Sequence, residues 1–309
     1  MKSFLLIALI RGLALLPLAL LHRLARPLGA VMWHLARELR AQSLANLAAC
    51  LPELTASERK QLARSSFRHF VATALETGAN WCWPVPKLLG CIDAVHGQDL
   101  LEAALAEQRG VIVLVPHQGN WELTGFYFNA HHPTAVLFRH FKEAGIANFI
   151  TRARERTGGV LAADDIAGVR KLLKMLRSGG IVGILPDQVP DASGGDMAPF
   201  FGRPALTMSL VRGLARRSAA PVLCAWTERS TPGRFTLHII AASDGIADDD
   251  TTRALTALNH SVERVVRACP AQYRWEYKRF KLPRALREAR TAEQQQNAQA
   301  SNPQPEQRP

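Results

Sequence analysis

The sequence predicts an α/β fold with a mostly parallel central sheet flanked by helices and an N-terminal helical membrane-anchoring region. Three observations support this prediction. The N-terminus is long and apolar, the next part of the chain has a helical pattern, and short β-branched segments then alternate with segments of helical length. With 309 residues, 48% of them hydrophobic, the chain can bury a sizeable core.

The N-terminal apolar segment is the first predicted element. Residues 4–22 are about as long as a membrane span and are interrupted only by Arg11 and Pro17 among mostly aliphatic side chains. A charge near the middle of a span costs about 3 kcal/mol, so we expect either a full crossing or a helix at the interface. A cleavable signal peptide is the competing interpretation, but no Ala-x-Ala site follows and the apolar pattern continues. We predict a retained membrane anchor over residues 1–23.

A helical region that packs on the core is predicted for residues 24–85. Within it, Thr55 precedes Glu58 by three residues, which is typical of a helix N-terminus. Apolar residues then continue at helical spacing through Phe67 and as far as Leu75. Two prolines near residue 85 end this pattern.

An α/β domain is predicted for residues 86–284, where strand-like and helix-like segments alternate. The predicted strands are Val111–Val115, Ala135–Phe138, Ile181–Leu185, Val222–Trp226 and Phe235–Ile240. The segments Gly145–Thr157 and Ile166–Ser178 have helical length and period. Residues 285–309 are rich in Arg, Gln, Asn and Pro, which predicts a disordered tail.

Charge and cysteine content narrow the classes of partner and cofactor. A net charge of +12 favours a polyanionic partner, either a nucleic acid or an anionic membrane. No recognisable nucleic-acid-reading module is present, so we expect no nucleic-acid partner. The five cysteines include no Cys-x-x-Cys pair, which favours a reducing compartment and argues against a structural zinc site. We expect neither a metal nor a cofactor.

The candidate reactive group is His117, which follows a buried strand and a proline. Gly119 and Asn120 allow a turn after it, and the next helix begins near Glu122. The His-x4-acid spacing has no weight alone, because ten histidines and 26 acidic residues produce about one such match by chance. Open α/β sheets place their chemistry at such strand ends. The alternative is that His117 has no catalytic role and is a strand-end histidine hydrogen-bonded to a nearby carbonyl.

Other polar segments also follow the predicted strands, and their order along the chain is informative. These segments are Phe138-Arg139, the arginine-rich 152–156, Pro186-Asp187-Gln188, Phe200 to Thr207, and 273–281. Together with His117 and Glu122, they resemble the lipid A lauroyl/myristoyl acyltransferases of bacteria, a branch of the lysophospholipid acyltransferase superfamily. The resemblance covers most of the chain. It departs from the family after Arg139, where residues 141–145 replace the usual Asn-Pro pair.

The resemblance and the residue types together imply a mechanism. His117 takes the proton of an acceptor hydroxyl, and Glu122 holds the imidazole in the required tautomer. Such a base, with an ordinary pKa of about 6.5, is worth about 10²–10⁴ in rate. Arg154 stabilises the oxyanion, with backbone N–H groups of the 118–121 turn as the alternative, and Arg139 holds phosphate or the donor. The remaining predicted substrate-binding residues are Asp187, Gln188 and Asn120.

The implied function is a membrane-associated acyltransferase of lipid A biosynthesis, on the cytoplasmic face of the inner membrane. It moves a fatty acyl group from acyl carrier protein to a hydroxyl of a lipid A precursor or related glycolipid. An acidic carrier protein suits the basic chain, and basic residues beside the anchor favour an anionic leaflet. Coenzyme A as donor, a lysophospholipid or aminolipid as acceptor, a lipid hydrolase with the same dyad, and a non-enzymatic membrane-binding protein are the alternatives.

Overall fold

A seven-stranded sheet forms the centre of the molecule, in a computed structural model that describes residues 2–138, 143–284, 286 and 288. Its strands are β1 (Ile92–His96), β2 (Val111–Leu114), β3 (Thr134–Phe138), β4 (Val160–Ala163), β5 (Ile181–Ile184), β8 (Val222–Arg229) and β9 (Phe235–Ala241). Their order across the sheet is β1-β9-β8-β2-β5-β3-β4. β8 and β9 pair antiparallel and the other neighbouring pairs are parallel, which confirms the predicted mostly parallel sheet.

All five predicted strands lie in this sheet, but the edge strands β1 and β4 were not predicted. Both are short and partly exposed, so they lack the continuous apolar run of a central strand. A separate antiparallel hairpin was also missed, formed by β6 (Gly195–Phe200) and β7 (Arg203–Met208). Pro199 and Pro204 face each other within it, and prolines argue against a strand when only the sequence is read.

Helices cover both faces of the sheet. They are α6 (Gln98–Ala106), α7 (Trp121–His131), α8 (Ala144–Glu155), α9 (Ile166–Arg177), α10 (Leu210–Ser218) and α11 (Thr251–Ala268). In β2, Val111 and Val113 pack in the core beneath α6 and α7, whereas Ile112 and Leu114 pack in the core beneath α9, α10 and α11. Burial on both faces explains why β2 is apolar at every position.

The N-terminal part is helical, as predicted. Its helices are α1 (Lys2–Ala14), α2 (Leu18–Leu35), α3 (Arg37–Cys50), α4 (Ala56–Cys82) and α5 (Val85–Leu89). α4 begins with the predicted capping box: Thr55 Oγ1 accepts from Glu58 N at 3.2 Å, and Thr55 N donates to the Glu58 carboxylate at 2.7 Å. α2 packs along α4, and the far end of α4 reaches the carboxyl end of the sheet.

The predicted anchor is not one straight helix, because α1 ends before Pro17 and α2 turns away from it by 118°. Among the described helices, no single one is long and apolar enough to cross a membrane, and α1 and α2 meet that criterion only as a bent pair, by length and composition. Large apolar side chains on both helices are exposed, including Phe4, Leu9 and Leu35. The anchor and the boundaries at residues 23, 85 and 284 stay predictions. The predicted tail, apart from residues 286 and 288, lies outside the described residues.

Candidate active site

The register of two neighbouring strands brings His117 and Asp187 together. β2 and β5 are parallel, and Leu114 at the end of β2 is in register with Ile184 at the end of β5. Each chain then continues through a short segment containing a proline, and the polar residue stands three positions beyond the strand. Because the two exits have the same length, the two side chains meet at the carboxyl end of the sheet.

His117 and Asp187 form two hydrogen bonds. The imidazole Nδ1 lies 2.8 Å from Asp187 Oδ1, and the backbone N–H of His117 donates to Asp187 Oδ2 at 2.9 Å. Burial would raise the pKa of the Asp187 carboxyl, but the adjacent His117 and its hydrogen bonds hold that pKa below its usual range. A carboxylate at Nδ1 holds the proton on that nitrogen, which leaves the lone pair of the ring on Nε2.

The lone pair on His117 Nε2 is directed at Gln188. The amide nitrogen of Gln188 lies 3.0 Å from Nε2 and donates to it. The Trp121 ring packs beside the imidazole with a centroid separation of 5.1 Å. His117 therefore has one nitrogen held by a carboxylate and the other in contact with a side chain that a substrate hydroxyl can displace.

The structure does not join Glu122 to His117 as the sequence predicted. Glu122 accepts from Arg154 through both carboxylate oxygens, with Nε at 3.0 Å from Oε2, and from the Trp81 indole N–H at 3.3 Å. Among the described residues, no hydrogen bond links Glu122 to the imidazole. The cause is the helix: Glu122 lies in the first turn of α7, where its side chain meets α4 and α8.

Arg154 and Glu122 form a largely buried ion pair on the cavity wall. Burial raises the pKa of the Glu122 carboxyl, but the Arg154 guanidinium and its hydrogen bonds hold that pKa below its usual range. Burial likewise lowers the pKa of Arg154, and Glu122 more than reverses this effect. The guanidinium also lies over the Phe138 ring, 5.3 Å from its centroid. Two of its five N–H groups contact Glu122, so the others can bind a ligand.

Asn120 has a structural environment. Its Oδ1 caps α7 by accepting from Leu123 N at 3.0 Å, and its amide exchanges two 3.1 Å hydrogen bonds with the Asn80 amide of α4. Only 2% of its surface is exposed, and it does not line the cavity beside His117. The structure therefore does not support the predicted contact between Asn120 and the substrate. Arg139 lies outside the described residues.

Most backbone N–H groups of the 118–121 turn are used by the fold. Gln118 N donates to Pro116 O at 2.6 Å, Gly119 N to Gln272 O at 3.1 Å, and Asn120 N to Thr227 O at 2.8 Å. These contacts fix the turn but leave little of it for an oxyanion. The alternative oxyanion donors predicted from the sequence are thus largely engaged, whereas Arg154 has N–H groups that its pair with Glu122 does not use.

A cavity of about 570 Å³ opens beside His117, within the usual range for ligand sites. His117, Glu122, Arg154 and Gln188 line its polar end. Its other walls are mainly apolar and include Val136, Leu161, Val169, Ile181 and Met208. The lining extends along α7 from Trp121 to Asn129, which is about 12 Å of helix at roughly 1.5 Å per residue. The cavity therefore suits a long apolar chain with a reactive group at one end.

A second buried charge network contacts the 118–121 turn, and the sequence did not predict it. Arg229 donates from Nε to Glu76 Oε1 at 2.6 Å, and from its terminal nitrogen to Glu76 Oε2 at 2.7 Å and to Gly119 O at 3.1 Å. His22 Nε2 also contacts Glu76 Oε1 at 2.7 Å. The sequence contains one signal for this network: Glu76 shares the buried side of α4 with Ala72 and Ala79, where a carboxylate needs a partner.

Comparisons with known proteins identify the family of this chain. The family model described as bacterial lipid A biosynthesis acyltransferase matches residues 1–282. The lipid A biosynthesis palmitoleoyltransferase of Escherichia coli is 29% identical over 246 residues, covering 78% of this chain and 79% of that protein. The lauroyltransferase of the same species is 25% identical over 269 residues, covering 86% and 87%.

A relative from a second organism gives the same result. The lipid A biosynthesis acyltransferase of Haemophilus influenzae is 26% identical over 265 residues, covering 85% of this chain and 82% of that protein. The family model spans nearly all of the chain and includes both strand ends that form the site. This chain is therefore an acyltransferase and belongs to the bacterial lipid A biosynthesis acyltransferase family.

Proposed function

We propose that this enzyme transfers a fatty acyl group from a thioester donor to a hydroxyl of a lipid A precursor, with His117 as the general base. The observation that carries the proposal is the His117–Asp187 pair, whose Nδ1–Oδ1 distance is 2.8 Å, at the polar end of a largely apolar cavity. Asp187, rather than Glu122, orients the imidazole and stabilises the cation that develops on it.

The chemical step follows from the tautomer of His117, which has its proton on Nδ1 and its lone pair on Nε2. The acceptor hydroxyl displaces the Gln188 amide and gives its proton to His117 Nε2 as its oxygen bonds to the thioester carbonyl carbon. The resulting tetrahedral oxyanion collapses, the C–S bond breaks, and the proton on Nε2 passes to the departing thiolate. The products are an ester and a thiol, and no covalent acyl-enzyme forms.

Arg154 is the proposed oxyanion donor, and Glu122 is the residue that positions it. The ion pair fixes the guanidinium on the cavity wall that also carries His117. A preorganised cation in a site with little water stabilises developing negative charge more strongly than water does. Arg139 stays a proposed contact to phosphate or to the donor.

The identities of donor and acceptor rest on chemistry and on the relatives. The relatives named above are palmitoleoyl- and lauroyltransferases of lipid A biosynthesis, which supports a fatty acyl donor and a lipid A precursor as acceptor. The net charge of +12 suits an acidic acyl carrier protein as the donor. An extended alkyl chain advances about 1.3 Å per carbon, so the 12 Å between the levels of Trp121 and Asn129 corresponds to roughly nine carbons.

Exposed apolar side chains on α1 and α2 support docking on the cytoplasmic face of the inner membrane. Phe4, Leu5 and Leu9 are exposed on α1, and Leu24 and Leu28 on α2. The same helices carry arginines, which are attracted to anionic headgroups by about 1 kcal/mol each. Apolar insertion combined with this attraction holds the enzyme at the surface from which a lipid acceptor is taken.

The variant His117→Gln tests the proposed base. A glutamine amide can donate to Asp187 but cannot accept a proton, so we expect kcat to fall by about 10²–10⁴ while the protein stays folded. Acyl transfer from radiolabelled acyl carrier protein to a lipid A precursor is the measurement. His131→Gln, an exposed histidine at the end of α7, is the matched control. Full activity in folded His117→Gln would overturn the mechanism, and acceptor-independent release of free fatty acid would indicate a hydrolase.

Flotation with anionic vesicles tests membrane docking. Burying a leucine side chain contributes about 1.5–3 kcal/mol, so Leu5→Gln/Leu9→Gln should weaken vesicle binding by at least tenfold. Leu100→Gln on α6, a partly exposed leucine far from α1, is the control and should float like the wild type. Unchanged flotation of the double variant would rule out this surface as the docking site.

A further inference from the structure

Two glycines line the cavity beside His117, one on each of its main walls. The cavity lies between α7 and one face of the sheet, with Gly125 on the helix and Gly183 on β5. Neither glycine has the left-handed backbone conformation that favours this residue. Glycine within a helix or a strand destabilises that element relative to alanine, so two glycines on one cavity require an explanation.

On α7, the empty side-chain position of Gly125 is directed into the cavity. Glu122 and Asn129 line the cavity and stand on the same face of the helix, before and after this glycine. A Cβ atom added at Gly125 would meet nothing within 4 Å, apart from its chain neighbours and the backbone of its own helix. By contrast, a Cβ atom at Gly78 of α4 would lie 2.5 Å from the backbone nitrogen of Ala14. Close packing of two helices explains Gly78 but does not explain Gly125.

On β5, Gly183 leaves a similar space in the sheet wall. Because side chains alternate along a strand, Ile181 and Leu185 share its face, and both also line the cavity. A Cβ atom added at Gly183 would meet only the two methyl carbons of Val136, at 3.4 and 3.9 Å, which is ordinary van der Waals contact. A glycine inside a strand often marks the close approach of a ligand. The sheet therefore has room for a side chain here, and that room belongs to the cavity.

The two glycines lie at a similar depth in the cavity. α7 runs away from the polar end, and Gly125 follows Trp121 by four residues, which is about 6 Å of helix. β5 runs towards the polar end, and Gly183 precedes Leu185 by two residues, which is about 7 Å of strand. At about 1.3 Å per carbon, an alkyl chain that starts beside Trp121 passes this level near its fifth carbon. A side chain at either glycine would therefore obstruct the chain at this point.

We propose that Gly125 and Gly183 determine the acyl-chain selectivity of this enzyme. They keep open the passage between α7 and β5 through which the carbons beyond about the fifth extend. The proposal rests on the proposed function, because it places the acyl chain of the donor in this cavity. Both glycines lie well below the polar end, so a side chain at either position should exclude long acyl chains and leave the transfer of short ones intact.

Competition between two acyl donors provides the test. The wild type and Gly125→Val receive an equimolar mixture of hexanoyl and dodecanoyl acyl carrier protein with a lipid A precursor, and mass spectrometry measures the ester products. Gly125→Val should lower the ratio of dodecanoyl to hexanoyl transfer by about tenfold or more, because the carbons beyond the passage lose their buried site. Gly183→Ala should lower the same ratio by a smaller factor.

Gly125→Ala and Gly213→Val are the matched controls. Gly125→Ala should raise the thermal unfolding midpoint, because it removes a glycine from a helix, and yet lower the dodecanoyl to hexanoyl ratio about threefold. A purely structural role for this glycine would not produce both changes. Gly213 lies on α10, where an added Cβ atom would also meet nothing within 4 Å, and it is not among the residues that line the cavity. Gly213→Val should leave the ratio unchanged.

The outcomes separate this proposal from the proposed function. Turnover by the wild type reports on the function, whereas the product ratio reports on the passage. An unchanged ratio in folded Gly125→Val overturns the proposal, as does an equal loss of both products. If Gly125→Val does not fold, the ratios of Gly125→Ala and Gly183→Ala decide in the same way.

If the wild type transfers no acyl group, binding of dodecanoyl and hexanoyl pantetheine, measured by calorimetry, decides. Selective loss of dodecanoyl binding in Gly125→Val supports the passage. Equal affinities of the wild type and the variant for the dodecanoyl thioester overturn it, as does the absence of dodecanoyl binding by the wild type.

Discussion

The protein contains two histidine–carboxylate pairs of nearly identical geometry and opposite roles. In one, His117 Nδ1 lies 2.8 Å from Asp187 Oδ1, and in the other, His22 Nε2 lies 2.7 Å from Glu76 Oε1. Both carboxylates are buried, with side-chain exposures of 3% and 0%. The distance and burial of the pair therefore do not decide whether a histidine is catalytic.

What differs is the second ring nitrogen. His22 Nδ1 accepts from the Gly233 backbone N–H at 3.0 Å, so the fold uses both nitrogens of this ring. His117 Nε2 faces a cavity and contacts a displaceable amide. A histidine can act as a base only where a lone pair meets a space that a substrate can enter.

The carboxylates differ too. Arg229 contacts both oxygens of Glu76 and also donates to Gly119 O, so the structural pair braces the turn that follows His117. Among the described residues no arginine donates to Asp187, whose carboxylate oxygens accept from His117. The buried Tyr273 hydroxyl also lies against this carboxylate, which contributes to the raised pKa of Tyr273. Glu76 thus neutralises the buried Arg229 cation, whereas Asp187 orients His117, the proposed base. Because Arg229 braces the turn that follows His117, the Glu76 network also supports the geometry of the His117–Asp187 pair.

Asp187→Asn should give the largest effect. The asparagine amide would donate to Nδ1, which moves the ring proton to Nε2 and removes the lone pair that the reaction needs. The same change in a serine-protease triad lowers kcat by about 10⁴, or about 5.4 kcal/mol of activation free energy. We expect a loss of 10³–10⁴ in kcat for acyl transfer, with an unfolding midpoint close to that of the wild type.

Asp191→Asn, a cavity-lining carboxylate four residues along the chain, is the control for a general charge effect. It should leave kcat within about threefold of the wild type. If the two asparagine variants lose activity equally, the field of the cavity rather than the tautomer of His117 explains the loss.

Glu76→Gln should have the next largest effect, on stability. It leaves Arg229, which is 8% exposed, without its counter-charge, and breaking a buried pair in this way costs about 3–5 kcal/mol. We expect this loss in the free energy of unfolding, measured by urea titration. The kcat of the fraction that remains folded should stay within about tenfold of the wild type.

The matched control is Glu58→Gln, an exposed glutamate in the first turn of the same helix. Glutamine also completes a capping box, so this change removes only one charge beside the helix N-terminus, which costs at most about 1 kcal/mol. If Glu76→Gln cost no more than this control, the buried network would not be the brace that we infer.

The sequence predicted the sheet well because central strands bury both faces and so have continuous apolar runs. It also placed His117 and Asp187 at strand ends. It did not pair them, because their contact depends on the register of β2 against β5, which lie about 70 residues apart. The family resemblance suggested Glu122 instead, and the direction of its side chain on α7 cannot be read from the sequence.

The N-terminal segment illustrates the same limit. Its apolar composition predicted a membrane anchor over residues 1–23, yet Leu21 is 1% exposed and His22 packs against Glu76 inside the protein. A leucine in the sequence shows that a segment is hydrophobic, but it does not show whether lipid or protein covers the side chain. Only the faces that the neighbouring helices leave open, such as that of Leu15, show which residues can contact a membrane.

A third buried histidine sharpens the comparison, because His69 has no hydrogen-bonded carboxylate. Burial lowers its pKa to about 3 from an ordinary value of 6.5, with Arg229 and Arg68 adding to the effect. Between these values the unfolded state binds more protons than the folded state, so stability falls as the pH falls. From about pH 7.5 to 5.5, this histidine should remove about 1.4 kcal/mol of the free energy of unfolding.

His69→Gln isolates this smallest effect, since glutamine does not titrate. Urea titrations at about pH 7.5 and 5.5 should show the variant losing about 1.4 kcal/mol less than the wild type. Asp187 and Glu76 do not contribute in this window, because their pKa values lie below the ordinary values of 3.8 and 4.5 and they remain ionised throughout. Equal losses would mean that His69 is already protonated in the folded protein, and hence that water or a charged group reaches it.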